Sequence, residues 1–140
     1  DEIYKKQKEM LTELLDIKEI IKKPTRTLSL GQRMRCEIAI AFLHNPKIVF
    51  LDEPTIGLDS VSKIAVRKFI KKINKEQNTT IILTTHDTGD IKALAERILL
   101  IGKGKILMDG TIDDLMKMTN ENGGTLDDTI ATLYNNYHIA

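Results

Sequence analysis

An α/β fold with a helical piece in front is what this sequence predicts. The unbroken apolar run Ile48-Val49-Phe50-Leu51, bounded by Lys47 and Asp52, is too short for an independent helix and suits a strand buried on both faces. Thr79 to Thr85 reads as a second, β-rich strand. Between them Val61, Ile64, Ala65, Phe69, Ile70 and Ile73 recur at helical spacing. Strand, helix and strand make one βαβ unit, with parallel strands and a right-handed crossover.

The remaining elements follow from the same periodicities. From Ile3 to Ile21 the residues Ile3, Met10, Leu11, Leu14, Leu15 and Ile21 lie at helical spacing among lysines and glutamates, and Pro24 stops the run. The linker Lys23 to Leu28 leads to a second helix, from near Leu30 to about Leu43, closed by the turn signal Asn45-Pro46. After the βαβ unit a short helix, about Ile91 to Ala95, precedes the apolar stretches Ile98–Ile101 and Lys105–Met108. Gly102-Lys103-Gly104 between them is a hairpin signal. Capping patterns at Thr111-Ile112-Asp113-Asp114 and Thr125-Leu126-Asp127-Asp128, parted by Asn122-Gly123-Gly124, predict two small tail helices packed on the sheet.

Composition limits the function. The 140 residues, 41% of them apolar, suffice for one compact domain with a core and argue against disorder. Lysines and arginines number 21 against 20 acidic residues, so a net charge of +1 provides no global field for nucleic acid or anionic membrane. Aromatic residues make up 4% with no tryptophan, which is poor material for base stacking. The single cysteine, Cys36, excludes an internal disulfide framework and a multi-cysteine zinc site, and makes a reducing compartment the default. The longest apolar run, Ile38–Leu43, falls far short of the roughly 20 residues that cross a bilayer. The chain starts at Asp1 without a secretion-type leader, so a piece of a longer protein or a processed product is expected.

The chemistry gathers where the two parallel strands end. Asp52-Glu53 closes the first strand and His86 follows the second. In open α/β sheets ligands bind outside the carboxyl ends of strands, so two carboxylates and an imidazole are expected on a common rim. One carboxylate can hold magnesium while its neighbour accepts a proton from an attacking water. Asp52, continuing the strand, suits the metal; Glu53 suits the base. The same pair also suits plain capping of the turn at Pro54-Thr55. Ser29 followed by Gln32 fits a capping box for the second helix. A helix start also offers free amides, and Gly31 allows an anion close to the backbone. Either Asp59 or Ser60 can cap the helix at Val61.

In company these residues resemble a family. Leu28-Ser29-Leu30-Gly31-Gln32 resembles the signature motif of ABC-type ATPases, with Leu30 in place of the usual glycine. Ile48 to Glu53 is similar to their Walker B strand with its glutamate, Pro54 to Asp59 to the stretch entering their D-loop, and His86 to their switch histidine. No G-x-x-x-x-G-K-[ST] occurs, so the loop that would cradle the triphosphate is missing from these residues. The resemblance implies the C-terminal part of a P-loop NTPase (RecA-like) core with parallel strands, preceded by part of the ABC helical subdomain. It divides the chain into a helical part with the signature over 1–45, the C-terminal half of the ATPase core over 46–110 and a helical tail over 111–140.

The resemblance also implies ATP and Mg2+ as cofactors, with Asp52 holding the metal through water, Glu53 activating the attacking water and His86 contacting the γ-phosphate. Ser29, Leu30, Gly31 and Gln32 would face the ATP of a second ATPase domain in a head-to-tail dimer, and Asp59 would help join the two sites. The implied role is the ATP-hydrolysing subunit of a transporter working with transmembrane permease subunits at the inner face of the cell membrane, in the cytoplasm, with no nucleic acid partner. Arg33-Met34-Arg35 and Thr84-Thr85-His86-Asp87 look like bacterial exporter ATPases. Without a P-loop, these residues alone are expected to be inactive. The alternatives are a soluble ABC-type ATPase acting on nucleic acid or the ribosome, and a non-catalytic α/β binding module.

Overall fold

A computed structural model describes residues 2–138. The chain divides into two compact units, the first running to Thr85 and the second starting at His86, where the length alone suggested one.

The first unit opens with α1 (Glu2–Leu14), passes a 3-10 turn at Thr25–Thr27, and continues through α2 (Leu30–Phe42), β1 (Ile48–Asp52), α3 (Ser60–Gln77) and β2 (Thr80–Thr84). The helix expected to reach Ile21 stops at Leu14. Asp16 enters the left-handed region at φ 50. The guanidinium of Arg35, from α2, donates to the carbonyls of Leu15 and Asp16 at 3.1 and 3.3 Å, which caps the end of α1 with positive charge. Ile17 and Ile20 are still buried, so the apolar spacing marked burial correctly while the backbone turned beneath it.

β1 and β2 pair in parallel, in the register Ile48↔Thr80 through Asp52↔Thr84, with α3 as the connection. The buried stripe of α3, Val66, Phe69, Ile70 and Ile73, shares the core with Leu11, Leu15, Ile38, Phe42, Val49 and Leu51. Each such side chain removed from water contributes about 1.5–3 kcal/mol. Phe42 and Phe69 meet edge to face, with ring centroids 5.3 Å apart at 85°. Gln7 of α1 donates to the Phe42 carbonyl at 3.0 Å and so fixes α1 on the end of α2. One expectation fails here: β1 is buried on one face only. Val49 and Leu51 point into the core, whereas Ile48 is 56% and Phe50 75% exposed. An unbroken apolar run meets the needs of a two-sided strand, but among the described residues only the face with Val49 and Leu51 is covered.

The second unit holds α4 (Thr88–Leu94), the antiparallel pair β3 (Arg97–Gly102) and β4 (Lys105–Thr111), then α5 (Ile112–Asn122) and α6 (Leu126–His138). Lys103 and Gly104, both at positive φ, form the two-residue turn that the glycines signalled. Thr111 and Asp114 form the expected capping box of α5. Thr125 and Asp128 make the same reciprocal bonds at the start of α6. Both tail helices pack on β4 and on each other. Tyr134 of α6 donates to the Ile101 carbonyl at 3.1 Å.

Candidate functional site

Parallel pairing brings the ends of β1 and β2 level, so Asp52 stands opposite Thr84. The Thr84 hydroxyl joins the two acidic residues. It donates to Asp52 Oδ1 at 2.5 Å and accepts from the Glu53 amide at 3.1 Å. The same amide also points at the Thr84 carbonyl, 3.1 Å away. Glu53 then leaves the strand at φ 48, a left-handed backbone that costs a non-glycine residue of order 1–3 kcal/mol and clusters at functional sites. The left-handed backbone at Glu53 ends the regular strand immediately after Asp52. Asp52 is exposed and Glu53 half-buried. His86 is exposed and begins the second unit, two residues beyond Thr84.

Magnesium prefers oxygen ligands and is usually held by one or two carboxylates, with waters and phosphate oxygens completing the shell. No cluster of three or more His, Cys, Asp or Glu side chains suited to a metal occurs among the described residues. A single exposed carboxylate, Asp52, with one oxygen already oriented by Thr84, fits that sparse role.

At the start of α2, Ser29 Oγ accepts from the Gln32 amide at 3.2 Å and Gln32 Oε1 accepts from the Ser29 amide at 3.0 Å, which completes the predicted capping box. Leu30 is exposed and Gln32 half-buried, while Gly31 is buried. A side chain at Gly31 would begin 2.6 Å from Ser62 Oγ and 3.2 Å from Ser62 Cβ. Close packing against its own chain therefore accounts for this glycine, in addition to any approach by an anion. Asp59, rather than Ser60, caps α3, accepting from the Ser62 amide at 3.0 Å and the Ser62 hydroxyl at 2.8 Å. The amide bond first, then the hydroxyl bond, holds the Asp59 carboxyl below its ordinary pKa. Sequence reasoning missed Thr84 and Ser62 as organising residues. The available signals were a hydroxyl residue opposite Asp52 at a parallel strand end and the Asp59-x-x-Ser62 spacing.

The profile of the ABC transporter family matches residues 3–56, from α1 through β1 into the turn after Glu53. An uncharacterized ABC transporter ATP-binding protein of Bacillus subtilis, YcbN, is 32% identical over 117 residues, 84% of this chain and 38% of that protein. The chain belongs to the ABC transporter ATP-binding family. Aliphatic sulfonates import ATP-binding protein SsuB of Yersinia pestis is 40% identical over 86 residues, 61% of this chain and 32% of that protein. Among solved structures, cbiO1 of Clostridium perfringens, part of an ABC transporter complex, superposes with a TM-score of 0.73 at 28% identity, over 84% of this chain and 47% of that one. The bacterial ABC transporter cassette MJ0796, a dimer, gives 0.69 at 28%, over 76% and 46%. The chain thus spans less than half the length of each of these four relatives.

Proposed function

We propose that these residues form part of the ATP-hydrolysing subunit of an ABC transporter. The observation that carries the reading is the Thr84 hydroxyl that binds Asp52 and the Glu53 amide together at the carboxyl ends of paired parallel strands. In this reading Asp52 holds magnesium through water, Glu53 takes the proton of the attacking water and His86 contacts the γ-phosphate. Bound magnesium would supply charge neutralisation at the phosphate oxygens. Ser29, Leu30, Gly31 and Gln32 face the ATP of a second ATPase domain paired head to tail, and Asp59 helps to join the two sites. Transmembrane permease subunits carry the substrate path and hold the subunit at the cytoplasmic face of the membrane. No helix among the described residues is long and apolar enough to cross a membrane itself.

The test uses a polypeptide in which these residues follow a P-loop-bearing segment. Glu53→Gln lowers ATP turnover by about 10²- to 10⁴-fold, the usual effect of losing a general base, while Mg-ATP binding persists. Unchanged turnover rejects the assignment. The 140 residues alone show no ATPase activity and no stoichiometric Mg-ATP binding by calorimetry, because the phosphate-cradling loop is not among them. Co-purification with membrane permeases supports the transporter role, and capture by ribosomes or nucleic acid supports the soluble alternative. The exporter subclass rests on Arg33-Met34-Arg35 and Thr84 to Asp87 alone; ATP-driven substrate efflux supports it and uptake overturns it.

A further inference from the structure

The backbone after Glu53 folds into two consecutive turns. The Ile56 amide donates to the Glu53 carbonyl at 3.1 Å and the Leu58 amide to the Thr55 carbonyl at 3.2 Å. Gly57 sits between them at φ 70, a conformation that suits glycine. Leu58 is buried beneath the turn, but Ile56 and Gly57 are exposed, so the loop's own side chains leave its outer side open. Leu30 covers part of that side. A methyl group added at Gly57 would lie 3.0 Å from Leu30 Cδ2, which places the leucine's branched end against the glycine backbone. Past the loop, in the first turn of α3, Ser62 seats Gly31, and its hydroxyl is bound to Asp59. The first two residues of α2 thus contact the loop at Gly57 and the first turn of α3 at Ser62.

We infer that Leu30 is a positioning residue: through Gly57 it steadies the Glu53–Leu58 turns and, with them, the left-handed backbone of Glu53. The inference rests on the proposed role of Glu53. A strained backbone persists only where its surroundings over-determine it. Thr84 fixes Glu53 from the strand side. On the turn side its carbonyl is tied to the Ile56 amide, immediately before the glycine that Leu30 covers. Glycine at position 30, usual in the motif this segment resembles, has no side chain that could reach Gly57. Leucine here joins the start of α2 and the loop behind Glu53 into one mechanical body.

Amide hydrogen exchange of the 140-residue chain tests this directly, with Leu30→Gly, Leu30→Ala and Leu30→Met. In the glycine and alanine variants exchange at Ile56 and Leu58 accelerates about tenfold, equivalent to about 1.4 kcal/mol of lost protection, while Phe69 and Ile73 in α3 keep their rates. Alanine separates the lost contact from any loosening of α2 by glycine. Methionine reaches Gly57 again and restores the rates. Unchanged exchange at Ile56 and Leu58, acceleration spread evenly over the first unit, or failure of methionine to restore protection overturns the inference. No nucleotide takes part, so failure here leaves the role of Glu53 standing. Conversely, unchanged turnover in Glu53→Gln would withdraw that role without altering these rates.

Discussion

Substituting Gly31 by alanine tests whether the contact between α2 and α3 is as tight as the geometry indicates. The new methyl group would begin 2.6 Å from Ser62 Oγ, and that hydroxyl cannot withdraw freely because it donates to Asp59 Oδ2 at 2.8 Å. Overpacking of this kind costs about 1–3 kcal/mol. Alanine returns up to about 1 kcal/mol through its better helix propensity, and less than that in a first turn. The net loss in Gly31→Ala is therefore about 1 kcal/mol, a difference between two larger effects. The coupling with Ser62→Ala is the sharper quantity. Removing the hydroxyl leaves Ser62 Cβ at 3.2 Å, a tight contact that small shifts relieve. The double variant then recovers about 1–2 kcal/mol relative to the sum of the single changes, within the usual range for residues in contact. Urea unfolding followed by far-ultraviolet circular dichroism supplies all four stabilities. Additivity within about 0.5 kcal/mol would refute the proposed contact.

Two further outcomes concern caps and charge. Ser29→Ala removes the acceptor of the Gln32 amide and lowers stability by about 1 kcal/mol, whereas Ser29→Thr keeps most of it; equal urea midpoints for serine and alanine would contradict the capping box. Asp59, Asp114 and Asp128 are held below the ordinary carboxyl value of 3.8 by amide and hydroxyl donors at Ser62, Thr111 and Thr125. A carboxyl depressed in the folded state adds stability that is fully present above its unfolded pKa and lost as the pH falls through the lower folded one. The urea midpoint therefore holds from about pH 7 to 5 and declines below about 4, and a flat profile down to pH 3 would contradict these bonds.

Much of the scaffold is readable from local patterns because its signals are local. The α3 stripe, the glycine turn of the hairpin and the Thr-x-x-Asp starts of the tail helices each need only a few neighbouring residues to specify them. The spacing carries α1 past its end at Leu14 because apolar spacing reports which residues are buried but not the backbone path. Leu15, Ile17 and Ile20 do reach the core, yet Asp16 turns the chain and Arg35, 19 residues away, binds the exposed carbonyls. Likewise the all-apolar β1 gives no indication of which face finds a partner. The acidic pair at the strand end was legible, since strand polarity follows from the βαβ connection. The Thr84 hydroxyl that binds the Asp52 carboxylate and the Glu53 amide, and Ser62 behind Gly31, were not: each partner lies 31 or more positions away and contributes nothing to local periodicity.

The proposed roles of Glu53 in activating water and of His86 at the γ-phosphate meet their most direct test in turnover kinetics. In a polypeptide that carries a P-loop upstream of these residues, ATP turnover is measured for Glu53→Gln, His86→Ala and the pair together. Groups that act as a unit are grossly non-additive, so the double variant should fall little further than Glu53→Gln alone. Losses that multiply in full, or a His86→Ala variant as fast as the parent, would place the imidazole outside the chemistry of Glu53.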